Sequence, residues 1–293
     1  MKKLAILWSL IKESITRWID DFAPSMGAAL SYYTIFSIAP LLLIVIAVAG
    51  LAFGDAAASG ALFEQLRGML GDEGAAVAQR LVASANEPRT SIIATLGGIV
   101  MMILGATTVL AELQSALNRV WRAPPDRKGV WTMLRKRLLS LSLILAIGFL
   151  LLVSLVASAA MAAIGRWGAP YFGRMKWLFA LVNVGVSLAA VTVLFAMIYK
   201  ILPRVRIGWK DVWIGAAVTA VLFTVGKSLI GLYLGKSAVA SGFGAAGSIV
   251  VLLVWVYYSA QIFMLGAEFT AVYARRYGSL RDENRGQTSV STQ

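Results

Sequence analysis

Six apolar runs decide what this chain can fold into. They cover about residues 30–53, 91–111, 138–164, 178–201, 212–234 and 247–273. Each is near or above the roughly 20 residues that a helix needs to cross the hydrocarbon of a bilayer. The whole chain is 59% hydrophobic and 14% charged, where soluble domains carry about 45–50% and about 25%. So few charges cannot wet the surface of a 293-residue soluble protein; lipid around most of that surface removes the need. The expected fold is all-α: a polytopic membrane protein with six transmembrane helices and an N-terminal amphipathic surface helix. Residues 1–24 are read as that surface helix, 25–275 as the membrane domain and 276–293 as a polar, disordered tail.

The Lys and Arg residues orient the bundle. Those before the first run, in the 112–137 connection, in the 200–211 connection and in the tail number nineteen, against seven in the opposite connections. The richer side is expected to be cytoplasmic, and six spans then place both termini there, in a bacterial inner membrane. Basic loops beside anionic headgroups also explain the net charge of +13 without nucleic acid.

Two segments lie outside the runs. In residues 4–22, Leu4, Leu7, Trp8, Ile11, Ile15, Trp18, Ile19 and Phe22 recur at helical spacing, with Lys12, Glu13, Arg17 and Asp20 on other faces. Two placements satisfy this pattern: lying in the membrane surface, or docked on the protein's own cytoplasmic side. Early charges and the lack of a small-residue cleavage site mark this segment as mature sequence rather than a signal peptide. The outer connection, about 54–90, reads as two helices, Ala61–Leu70 and Ala75–Ala85, split by Gly71 and Gly74. In the first run Pro40 removes a backbone donor and predicts a kink.

The chain has no cysteine and no histidine, which excludes disulfides, thiolate nucleophiles and the side chain best suited to proton transfer near neutral pH. No cofactor, metal site or catalytic residue is expected.

Several segments resemble the YihY/BrkB family of bacterial inner-membrane proteins. They are Ala28-Ala29-Leu30-Ser31-Tyr32-Tyr33-Thr34-Ile35-Phe36-Ser37-Ile38-Ala39-Pro40-Leu41, Trp121-Arg122, Leu202-Pro203-Arg204, Trp209-Lys210-Asp211-Val212 with Gly215-Ala216, Tyr233 with Phe243-Gly244-Ala245-Ala246-Gly247-Ser248, and Trp255-Val256-Tyr257-Tyr258-Ser259-Ala260-Gln261 ending in Gly266-Ala267-Glu268. They run in order over about residues 15–275; Phe243 departs from an expected tyrosine. The resemblance implies a six-helix inner-membrane protein. Some members carry an old ribonuclease label, a link to virulence or serum resistance, or proposals of transport.

Glu268 is the sharpest candidate residue, because a carboxylate in a membrane helix is costly unless solvated, paired or protonated. It is read as a proton or cation site, a partner to a cytoplasmic Arg, or an end-of-helix residue reaching the headgroups. Glu112 lies at similar depth, and the two are expected to share a polar cluster with Arg204 or Arg206. Lys227 lies roughly 22 Å from the inner end of the fifth run at 1.5 Å per residue, and is expected to snorkel outward or to line a cavity for an anionic group. Gln261, Tyr257 and Tyr32, with Asn183, are read either as interhelical packing or as a polar path. Gly50 with Gly54 and Gly231 with Gly235 are candidates for close helix contact. The denser run containing Gly242, Gly244 and Gly247 is a candidate backbone ligand site or a tight turn.

Transport of a lipid or other anionic amphiphile is the first functional expectation, with membrane lipids as partners and a homo-oligomer open. A non-catalytic envelope assembly role is the second. A ribonuclease is not expected, since 14 scattered acidic residues and no histidine offer neither a metal cluster nor an acid–base pair.

Overall fold

A computed structural model describes residues 2–85, 92–124, 142, 176–236 and 247–281. The described residues form helices and no strand: α1 (Lys2–Asp20), α2 (Ala23–Phe53), α3 (Asp55–Ala85), α4 (Ile92–Val120), α5 (Lys176–Ile201), α6 (Trp209–Lys236) and α7 (Gly247–Arg276). Four stretches are long and apolar enough to cross a membrane: Ala23–Ala47, Val184–Ile201, Trp209–Tyr233 and Ile249–Arg276. They match four of the six expected runs. The second run falls on α4; the third, apart from Ser142, lies outside the described residues, as do Gly242, Gly244 and the tail beyond 281.

In lipid the hydrophobic effect does not drive helix against helix, so close packing and buried hydrogen bonds must. The α6–α7 pair shows how. Gly215 lies directly against Thr270, Gly266 against Thr219, and Gly226 against Ile262 and Tyr258. These pairs run in opposite order along the two helices, as antiparallel neighbours require. A β-carbon at any of the three glycines would collide with its partner. Tyr199 of α5 joins the same contact: its hydroxyl donates to the Phe263 carbonyl at 2.8 Å and lies 3.1 Å from Thr219 Oγ1. Around it Leu117, Val212, Ala216, Met264, Ala267 and Ala271 form the buried core.

On the other flank, α2 runs unbroken through Pro40. Proline cannot donate to the Phe36 carbonyl, and Gly105 of α4 brings its backbone against both the Pro40 ring and that carbonyl. Pro24 occupies the first turn of α2, where a missing N–H costs nothing. The chain reverses at Gly54, whose φ of 83° suits glycine.

Two expectations are corrected here. The 54–90 connection is not split at Gly71 and Gly74: α3 is continuous from Asp55 to Ala85. Glycine in a helix costs about 1 kcal/mol, but Leu62, Ala78 and Val82 bury against Leu42 and Val45 of α2, which outweighs it. Gly54 and Gly231, one member of each expected glycine pair, also do not make helix contacts. Gly54 caps α2, and both Gly54 and Gly231 face open space. Periodic spacing alone cannot tell which face of a helix meets a neighbour.

α1 divides into three faces. Leu10 packs on Phe269 and Val272 of α7, and Glu13 pairs with Arg276 at 3.1 Å. Lys12, Thr16 and Asp20 are exposed, and so is the apolar stripe Leu7, Trp8, Ile11, Ile15, Ile19 and Phe22.

With Gly266 this close to Thr219, Gly266→Val is expected to lower stability by about 1–3 kcal/mol through overpacking. Gly231→Ala, on an open face, should leave it unchanged or slightly raised. Thermal melting in detergent micelles checks both; equal melting temperatures for Gly266→Val and wild type would contradict the contact.

Candidate functional site

The α6–α7 contact fixes which way α7 turns. With Gly266 and Thr270 against α6, Tyr257, Gln261, Glu268 and Arg275 fall along the opposite side of the helix, at spacings of four and seven residues. That side meets α2 and α1. Tyr257 and Gln261 sit over Gly27 of α2. Gln261 Nε2 reaches toward the Pro24 carbonyl at 3.5 Å, while its Oε1 is buried without a partner.

Farther along the same side, Glu268 is fully buried and neither carboxylate oxygen has a hydrogen-bond donor. Asp21, in the turn between α1 and α2, lies within electrostatic reach of it, and so do Arg17 and Arg275. Arg275 in turn faces Arg17, Arg122, Glu268 and Asp21. Around Arg275 these three guanidiniums and two carboxylates form one charged corner, drawn from α1, the α1–α2 turn, the end of α4 and the end of α7, with Arg122 exposed.

The hydrogen bonds within the corner are few. Arg275 Nη2 donates to the Val120 carbonyl at 3.1 Å, closing the end of α4. Arg17 Nη2 donates to Glu13 Oε1 at 2.8 Å. Arg17 Nη1, Trp18 Nε1 and Trp121 Nε1 are buried with no acceptor. A buried donor left unsatisfied costs about 1–3 kcal/mol. Two turns bordering the corner also hold unusual backbone: Phe22 has φ 58° and Arg122 φ 50°, a left-handed conformation that side chains rarely adopt.

A second network braces this end of the molecule. Asp211 is buried and accepts the Ser279 backbone N–H at 2.7 Å, while the Gly208 N–H donates to Ser279 Oγ at 2.9 Å. Gln114 Nε2 donates to the Leu202 carbonyl, and the Arg204 N–H donates to Asn118 Oδ1. Lys200 donates to the Ile207 carbonyl and lies over the Trp209 ring. The connection between α5 and α6 is thereby tied to the ends of α4 and α7.

The expected residues are distributed as follows. Glu268, Gln261 and Tyr257 share one side of α7. Glu112 is half-buried on α4, which continues past it to Val120. The charges that reach Glu268 come from Arg17, Asp21 and Arg275 rather than from Glu112, Arg204 or Arg206. Tyr32 is 58% exposed and packs on Tyr33 and Phe36. Lys227 is half-buried on α6; that helix starts at Trp209, so Lys227 lies ~27 Å along it at 1.5 Å per residue, near the far end. Gly247 is buried as the first residue of α7.

The sequence offered a cytoplasmic Arg as partner to Glu268, but through Arg204 or Arg206; Arg17 and Arg275 were missed. One signal was available: Arg275 lies seven residues after Glu268, two turns along the same face.

The model of the family described as Virulence factor BrkB matches residues 14–290. The chain belongs to the BrkB family. A UPF0761 membrane protein of Pseudomonas aeruginosa strain LESB58 is 29% identical over 259 residues, covering 86% of this chain and 59% of the relative. The chain therefore spans a little under two thirds of that relative's length. A UPF0761 membrane protein of Klebsiella pneumoniae MGH 78578 is 30% identical over 204 residues, covering 69% of this chain and 66% of the relative. No solved structure matches. Together with the four crossing helices, these relatives make the chain a membrane protein of this family.

Removing Arg275 leaves Glu268 buried with less counter-charge. Arg275→Met is expected to cost about 3 kcal/mol, and the double variant Arg275→Met with Glu268→Leu to recover most of it. Denaturant unfolding in micelles measures both, and strictly additive losses would show that the two side chains do not interact.

Proposed function

We propose that this chain moves an anionic amphiphile, such as a phospholipid or a lipid-linked sugar, across a bacterial inner membrane. It does so as a six-span protein with its arginine-rich end and both termini in the cytoplasm. The observation that carries this reading is the buried, arginine-surrounded Glu268 at the end of a membrane-crossing helix. A passive scaffold gains little from such a corner, because desolvating charges costs several kcal/mol per ion and apolar packing of the same volume would be as stable. Intramembrane ionisable groups are retained where they handle charge.

The surroundings of the corner fit a substrate with a charged head and apolar tails. The uncovered stripe of α1 suits the interface of the cytoplasmic leaflet, with Trp8 at headgroup level and Lys12 toward water. The stripe continues through Phe22 toward the exposed Tyr32 and Phe36 of α2. Tails lying on that surface bring a headgroup beside Arg17. The side of α7 bearing Gln261 and Tyr257 continues from the corner into the membrane, where it packs on Gly27 of α2, so a head travelling along it parts α7 from α2.

Reconstituted into liposomes, wild-type protein should move labelled anionic lipid between leaflets. Glu268→Gln is expected to slow this about tenfold or more, since a contact to a charged group is worth ~1.5–3 kcal/mol. A well-folded wild type that moves no labelled lipid or solute would leave the assembly role as the better reading.

A further inference from the structure

The corner around Glu268 is incomplete as a set of ion pairs. Its carboxylate oxygens have no donor, although Arg17 and Arg275 lie within reach. Both guanidiniums are spent elsewhere, Arg275 on the Val120 carbonyl and Arg17 on Glu13. Meanwhile three buried N–H groups, Arg17 Nη1, Trp18 Nε1 and Trp121 Nε1, have no acceptor. Native structures rarely leave several buried donors unmet without a missing water, ion or ligand. Each of these donors lacks an acceptor oxygen.

Charge balance narrows the choice. Arg17, Arg122 and Arg275 against Asp21 and Glu268 leave at least one positive charge. Adding Glu13 and Arg276, which pair with each other, leaves the same surplus. A phosphodiester carries one negative charge and tetrahedral oxygens that guanidinium forks bind two at a time. Trp121 is 3% exposed and presents its indole N–H from the strained end of α4 beside Arg122. Local strain of this kind gathers at ligand sites. The Arg17 side chain is 22% exposed, which opens the corner on the α1 side.

We propose that this corner is a phosphate-group site, held by Arg17, Arg122 and Arg275 with the indole N–H groups of Trp18 and Trp121. The Val120 carbonyl and Glu13 hold Arg275 and Arg17 in place when the site is empty. The proposal rests on the anionic-amphiphile reading and names its head: a phosphate ester. Two sources share that chemistry, a lipid headgroup and free phosphate.

Equilibrium binding to the full chain in neutral detergent tests it without a bilayer. The probes are short-chain phosphatidylglycerol, inorganic phosphate and a fatty acid of matched chain length. Saturable binding of phosphatidylglycerol, stronger than that of the fatty acid, is expected, and Arg122→Gln or Arg275→Gln should weaken it about tenfold. Trp121→Phe keeps the ring and removes only the N–H, so it reads the site even where an arginine variant fails to fold; a several-fold loss is expected. Inorganic phosphate bound as tightly, with the same variant sensitivity, would support the site and make free phosphate its source. Fatty acid bound as well as phosphatidylglycerol, or affinities unchanged in Arg122→Gln and Trp121→Phe, would overturn it. Binding without lipid movement in liposomes would sink the transport reading and leave the site standing. Lipid movement untouched by Arg122→Gln would do the reverse.

Discussion

The close contact between α6 and α7 is the constraint on which the rest of the structure depends. Lipid offers helices no hydrophobic reason to associate, so the glycines opposite Thr219 and Thr270 supply one through close approach. Tyr199 locks the same contact from α5 by bonding the Phe263 carbonyl. Once Gly266 faces α6, the helical period leaves Glu268 no choice of direction. It turns toward α1 and α2, and Gln261 and Tyr257 turn with it. A polar side of α7 is therefore a by-product of where its smallest residues are.

That geometry explains how a carboxylate can be fully buried at the end of a membrane helix. Arg275 belongs to the same helix, whereas Arg17 and Asp21 come from the other end of the chain. α1 is the element that brings them. Leu10 and the Glu13–Arg276 pair hold it to α7, and the Phe22 turn joins it directly to α2. The Asp211–Ser279 bond does a parallel service on the far side, fixing the α5–α6 connection to the end of α7. The corner is thus defined by the ends of several elements, each tied by its own hydrogen bonds.

Much of the helical layout was legible in the sequence, because an apolar run of some 20 residues has few alternatives. The runs at 30–53, 178–201, 212–234 and 247–273 correspond to α2, α5, α6 and α7. Glu268 stood out for the same reason, as an ionisable residue inside such a run. The continuity of α3 was not legible. Gly71 and Gly74 carry a helix-breaking signal, and only the burial of Leu62, Ala78 and Val82 on α2 outweighs it. Nor could the neighbours of Glu268 be read. Similar depth suggested Glu112, but depth does not fix which faces meet. Arg17 and Asp21 lie some 250 residues from Glu268 along the chain, and their approach follows from the docking of α1, which periodicity left open between two placements.

If the chain moves an anionic amphiphile as proposed, the arginine corner lies at the headgroups of the cytoplasmic leaflet, with the free stripe of α1 in lipid. The chain contains no cysteine, so a spin label at Ile15→Cys reports from one position in reconstituted protein. Lipid-soluble oxygen should relax this label more strongly than a water-soluble nickel complex, at a depth near the headgroups. A label relaxed chiefly by the nickel complex, as on a helix surrounded by water, would contradict the account.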